Sequence, residues 1–242
     1  MRIWGVPLTI LEAGQQKKGA KISTTQERQI VVKTLFGEQE VRYREWVRNN
    51  VKNVDLLTEG RVGYLHLPDM STHGIAEFHR GYLAQVDREG LIVDARYNTG
   101  GMVSPLILEK LAHRHLGYDV PRWGSPESYP YHTLRGHLIV IANQFTGSDG
   151  DMFTTSFRQL KLGPLVGKRT WGGVIGIDGR YQLVDGTTTT QPQYSIWFHH
   201  AGWSVENYGV DPDIEVEDTP QSFVKNEDPL LTRTVQEMLR LL

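Results

Sequence analysis

Cysteine is absent from the 242 residues. Its absence excludes a disulfide framework, a thiolate zinc site and a thiol nucleophile, and suits a reducing, cytoplasmic setting. Charge of one sign is also lacking: 26 Lys and Arg stand against 28 Asp and Glu, a formal net charge of −2. That balance leaves no electrostatic footprint for nucleic acid or for an anionic membrane surface. No apolar run approaches the ~20 residues of a membrane span. The N-terminal apolar stretch is too short for a secretory signal and has no small-residue cleavage site. None of the nine histidines shows the His-x-x-x-His spacing of a helical metal site, so neither metal nor cofactor is expected. Internal repeats and low-complexity tracts are missing as well. What is present is 39% hydrophobic and 10% aromatic residues, enough for a chain of this length to bury a core without cross-links.

The N-terminal quarter is irregular. Ile3–Leu11 contains β-like pieces, Gln15–Gln26 is polar, and the β-branched Gln29–Leu35 predicts a strand. Gln39–Val54 predicts a charged helix or an extended connector, with Val41, Trp46 and Val47 as anchors. A boundary falls near Glu59-Gly60. Strands and helices then alternate. Val62–Leu67, Gly90–Tyr97, His137–Ala142 and Leu165–Gly167 read as strands, and Ile75–Arg88, Val103–Leu116 and Gly150–Leu160 as amphipathic helices. Tyr181–Val184 and Tyr194–His199 predict strands around a turn-rich segment, and Pro229–Leu242 a final helix. The alternation predicts an α/β fold with a twisted, mostly parallel sheet and crossover helices.

Two strand–loop–helix joints could carry chemistry. One runs through Asn98-Thr99-Gly100-Gly101, the other through Gly147-Ser148-Asp149-Gly150. Ligands of α/β sheets bind beyond the carboxyl ends of strands, and each joint ends at a helix N-terminus that favours negative charge. Ser148 stands where a nucleophile would be exposed. The Asp149 amide and an amide of the Gly100-Gly101 loop could together hold an oxyanion. The same residues read equally as an N-cap, with Ser148 or Asp149 capping the following helix, and as a tight turn.

Seven stretches bear a resemblance that adds to this reading: VRYREWV (41–47), GRVGYLHLPDM (60–70), GLIVDARYNTGG (90–101), GYDVPR (117–122), TGSDGDMF (146–153), GPLVGKRTWGGVIGI (163–177) and VENYGVDPDIEVE (205–217). In this order they resemble the catalytic core of the tail-specific (C-terminal-processing) serine peptidases, in their tricorn branch. The resemblance implies a tail-specific peptidase core of the crotonase- and ClpP-like kind. It implies Ser148 as nucleophile, Gly101 and Asp149 as oxyanion-hole donors through their amides, and Glu206 as a supporting carboxylate. It implies Asp119 as the acid that selects a basic P1 side chain. Without the resemblance, Asp119 reads as a solvated turn residue and Glu206 as a strand-end charge.

A serine nucleophile needs a base. In the tricorn branch that base is a histidine preceded by a serine, upstream of a PDZ domain, and no segment here matches it. The lysine of the superfamily's Ser–Lys dyad falls at Gly173, and Lys168 reads as a surface charge. His199 and His200 are expected on opposite faces of a strand, His113 and His115 on different faces of a helix. His66 and His137 read as core or edge residues, and His73, His79 and His132 as surface residues. The resemblance thus implies residues 1–40 as the trailing half of a PDZ-like domain, 41–59 as a connector helix, 60–220 as the peptidase core and 221–242 as a C-terminal helix. The partners implied are oligopeptides released by a larger protease and further copies of the chain in a ring. The rival expectation is a non-catalytic peptide-binding or assembly module, or half of a split enzyme completed in trans.

Overall fold

The computed structural model describes residues 5–11, 27–33 and 35–242, the first two segments by backbone alone. By packing, the chain divides into residues 1–46 and 47–242. In the first unit, β1 (Gly5–Leu11) pairs antiparallel with β2 (Glu27–Lys33). The polar stretch Gln15–Gln26 lies outside the described residues. Gln39–Val54 resolves as helix rather than extended connector: α1 runs Gln39–Leu57. Of its expected anchors, Val41 is exposed, whereas Val47 packs against a core.

The second unit is built on five strands: β3 (Val62–His66), β4 (Gly90–Asp94), β7 (His137–Ala142), β8 (Leu165–Gly167) and β11 (Ile214–Glu215). Every pairing in this sheet is parallel, and the order is β11-β8-β7-β4-β3. The alternating side chains of buried strands feed two cores. Leu91, Val93, Leu138 and Val140 face one way, toward Phe78 and Tyr82 of α2 (Thr72–Gln85), Ile107 and Leu111 of α3 (Ser104–Ala112), and Phe153 and Phe157 of α4 (Asp149–Gln159). Ile92, Ile139 and Ile141 face the other way, toward Val54 of α1 and Leu230, Leu231, Val235 and Met238 of α6 (Pro229–Leu241). Helices therefore cover both faces, as the alternation predicts. None of the helices among the described residues is long and apolar enough to cross a membrane.

Helix starts follow local chemistry. At α2 the Asp69 carboxylate accepts the Ser71 and Gly74 amides at 2.8 Å. At α6 the Asp228 side chain accepts the Leu231 amide at 2.9 Å, with Pro229 in the first turn.

The sequence-based strands after residue 175 are corrected. Tyr181–Val184 is not a strand: only Gln182 forms an isolated bridge, with Thr188. Tyr181, Leu183 and Val184 are exposed, so their β propensity has no face to bury. The observed pair is β9 (Gly176–Asp178) with β10 (Gln191–Tyr194), which places most of Tyr194–His199 outside any strand. His199 and His200 lie in a turn. Helix α3 stops at Ala112, where His113 turns extended (ψ 122°), so His113 and His115 are off the helix. A further antiparallel pair, β5 (Gly117–Asp119) with β6 (Glu127–Tyr129), follows. The short helix α5 (Pro220–Val224) completes the elements.

Candidate active site

Strands β4 and β7 are neighbours in register, Asp94 opposite Ile141, so the two loops that leave them start side by side. The end of β4 is clamped by a buried polar chain. Arg96 pairs with Asp94 at 2.7 Å and with the α6 N-cap Asp228 at 2.9 Å. The Tyr64 hydroxyl donates to Asp94 at 2.7 Å and accepts from the Asn50 amide at 3.0 Å. Burial pushes the Asp94 carboxyl up, but the charge and hydrogen bonds of Arg96 outweigh it and hold its pKa below the ordinary carboxylate value.

Beyond the clamp, Asn98 joins the loops. Its side chain donates to the Leu67 carbonyl at 2.8 Å and accepts the Gly100 amide at 2.9 Å, while its carbonyl accepts the Gly147 amide at 2.9 Å. The Gly100-Gly101 loop lies along Met70, whose amide donates to the Gly100 carbonyl at 2.8 Å. Gly101 has φ 151°, and a Cβ there would overlap the Met70 carbonyl oxygen. Glycine alone fits. A Cβ on Gly100 would sit 2.5 Å from Ser148 Cβ and 3.0 Å from its Oγ, so this loop passes directly beside the serine.

Ser148 occupies φ 55°, ψ −119°, a conformation that disfavours any side chain and costs about 1–3 kcal/mol. It is the N-cap position of α4, yet its side chain makes no capping bond. The Ser148 hydroxyl has no hydrogen-bond partner among the described residues. This answers one of the open alternatives: neither Ser148 nor Asp149 caps α4 through its side chain. The Asp149 carboxylate instead serves α3, accepting the Ser104 amide at 3.0 Å and the Ser104 hydroxyl at 2.5 Å. A strained, half-buried serine between a strand and a helix, its hydroxyl unshared, has the backbone arrangement of a nucleophile elbow. Neither the Gly101 amide nor the Asp149 amide donates to a protein acceptor among the described residues.

Glu206 lies in a turn rather than at a strand end. It accepts the Val174 and Ile175 amides at 2.7 and 2.9 Å. The same 170–175 loop returns to the elbow. Trp171 donates its amide to the Thr146 carbonyl at 2.9 Å, and its ring stands against Gly147, where a Cβ would approach to 2.7 Å. The ring also blocks the space beside Gly173. Lys168 pairs with Glu217 at 2.9 Å. None of the nine histidines hydrogen-bonds to Ser148; buried His66 instead meets the Arg96 carbonyl at 2.8 Å.

Asp119 is not brought to the elbow. It is exposed and lines an open recess of about 410 Å³ with Trp123, Glu127 and Tyr131. The Tyr131 hydroxyl donates to it at 3.0 Å. Asp119 stands directly opposite Glu127 across β5 and β6, an arrangement of like charges that a cation would relieve. Sequence reasoning named Asn98 within the first joint without giving it a role, and passed over Asp151. The first had a signal, since Asn before Thr-Gly-Gly suits an Asx turn.

The model of peptidase family S41 matches residues 61–216. The tricorn protease of Thermoplasma volcanium is 51% identical over 208 residues, 86% of this chain and 20% of that protein. Tricorn protease homolog 1 of Streptomyces coelicolor is 50% identical over 208 residues, again 86% of this chain and 20% of the relative. The crystal structure of the tricorn protease superposes with a TM-score of 0.86 at 44% identity, covering 89% of this chain and 21% of that one. The chain thus spans about a fifth of the length of these relatives. The matched segment holds both loops of the elbow, the recess and the Glu206 turn, and the chain belongs to peptidase family S41.

Proposed function

We propose that the chain is the core of a serine peptidase that hydrolyses oligopeptides by acyl transfer. One observation carries this reading: a strained, half-buried Ser148 with an unshared hydroxyl, beside two amides that no described protein group uses. The Ser148 oxygen attacks the scissile carbonyl, and its proton passes through a base to the leaving amine. The Gly101 and Asp149 amides receive the negative oxygen. Water then repeats the sequence on the acyl-enzyme. Glu206 supports the constellation from the 170–175 loop. Asp119, with Glu127 beside it, selects a basic P1 side chain. No histidine here meets Ser148, so the base comes from a Ser-His segment outside these residues, in the same polypeptide or in trans. The enzyme works as a homo-oligomer in the cytoplasm, downstream of a larger protease that releases the oligopeptides.

Labelling by an alkyl fluorophosphonate tests this, with and without an added fragment carrying the Ser-His segment. Modification of Ser148, absent in Ser148→Ala, is expected, faster with the fragment. No modification under either condition would leave a non-catalytic peptide-binding or assembly module.

A further inference from the structure

Asp151 is a fully buried carboxylate in the first turn of α4, three residues after Ser148. One of its oxygens accepts the Gly172 amide at 2.9 Å. The other is buried with no hydrogen bond of ordinary geometry. It stands at the third helical position, from which an acidic side chain reaches back toward the N-cap amide, here that of Ser148. Gly172 belongs to the loop in which Val174 and Ile175, just beyond Gly173, donate their amides to Glu206. The carbonyl of Gly172 accepts the amide of Asn207, the residue after Glu206. Asp151 and Glu206 therefore grip one short loop from its two ends.

We propose that Asp151 is a positioning residue, which couples the Ser148 elbow to the Glu206 turn through the Gly172 amide. It lies at the helix start where the serine hydroxyl would ordinarily cap, and so leaves that hydroxyl free for chemistry. The role rests on the peptidase reading above. The position is unfavourable for a charge. Burial pushes the Asp151 carboxyl pKa up, and the Thr170 hydroxyl with the Gly172, Ser148 and Gly173 amides only partly offsets it. A carboxyl whose folded-state pKa is raised costs stability as pH climbs from the unfolded value through the folded one, and the full penalty holds above the folded value. A neutral isostere at pH 7 should then cost no stability, which separates positioning from a merely structural role.

The test is Asp151→Asn in the full 242-residue chain, with three readouts. In amide correlation spectra, Val174 and Ile175 should move together with Gly172. The midpoint Tm at pH 7 should stay level or rise. Fluorophosphonate labelling of Ser148 should slow by on the order of a hundredfold, the cost of a small misplacement of reacting groups. Unmoved Val174 and Ile175 amides would overturn the coupling. So would labelling within twofold of the wild type. A clear fall in Tm would reassign Asp151 to the fold. Should the wild-type chain stay unlabelled both with and without the Ser-His fragment, the peptidase reading fails instead, and the amide shifts alone decide the role of Asp151.

Discussion

Ser148 holds a backbone conformation that glycine would take with less strain, and its hydroxyl contributes no internal hydrogen bond. Ser148→Gly should therefore stabilise the chain while removing the nucleophile. With strain of about 1–3 kcal/mol and roughly 2–4 °C per kcal/mol for a domain of this size, calorimetry should show Tm rising by several degrees. A lower Tm would mean that the serine is held by contacts that offset its strain. Such a gain on loss of a reactive group is the expected mark of a site shaped for chemistry rather than for folding. The sequence alone left the alternatives open here, because a Gly-Ser-Asp-Gly string is compatible with either a cap or an elbow. The dihedral angles and the free hydroxyl separate them.

At the scale of elements, the functional loops depend on how β4 ends. The Asp94–Arg96 pair is buried, and breaking such a pair leaves an uncompensated charge, costing about 3–5 kcal/mol. Asp94→Asn should lose that much in urea unfolding at pH 7. The pH dependence has a definite sign. Because its folded pKa is lowered, Asp94 stabilises the fold above the unfolded carboxylate pKa of about 3.9, and that contribution disappears as pH falls through the lower folded value. The wild type should keep it down to about pH 4, whereas the variant should show a flatter acid limb. A pH-independent difference between the two would count against the ion pair. The buried strands β3, β4, β7 and β8 and helices α2, α4 and α6 were legible, because continuous apolar runs and 3.6-residue spacing mark elements that fill a core. The 176–200 region was not. Its exposed aromatics carry β propensity, yet pairing there is set by β9, which has only Gly176, Ile177 and Asp178 to announce it. The Asp94–Arg96–Asp228 clamp was invisible for another reason, since Asp228 lies 132 residues from Arg96.

For the whole molecule, the roles proposed for Asp119 and Ser148 have to be reconciled with their separation. They belong to separate parts of the second unit, and no residue that lines the recess belongs to the elbow. The proposed homo-oligomer offers one resolution, in which one copy's recess serves another copy's serine. With the Ser-His fragment supplied, mixing Ser148→Ala chains with Asp119→Asn chains should then regenerate turnover of basic-P1 peptides that neither variant supports alone. Mixtures no better than the sum of their parts would assign each recess to its own serine.

The tryptophan beside the elbow also limits which base this scaffold can acquire. Trp171 fills the volume into which any side chain at Gly173 would grow, and Gly173 is the position at which the resemblance would put the lysine of a Ser–Lys dyad. A single Gly173→Lys exchange should therefore displace the indole, disturb Gly147 and leave the chain without autonomous turnover, as read by peptide hydrolysis. Pairing it with Trp171→Ala opens the space. A lysine at this position therefore requires two coordinated replacements, with a damaged intermediate between them, so the indole beside Gly147 closes the single-step route to a lysine base on this scaffold.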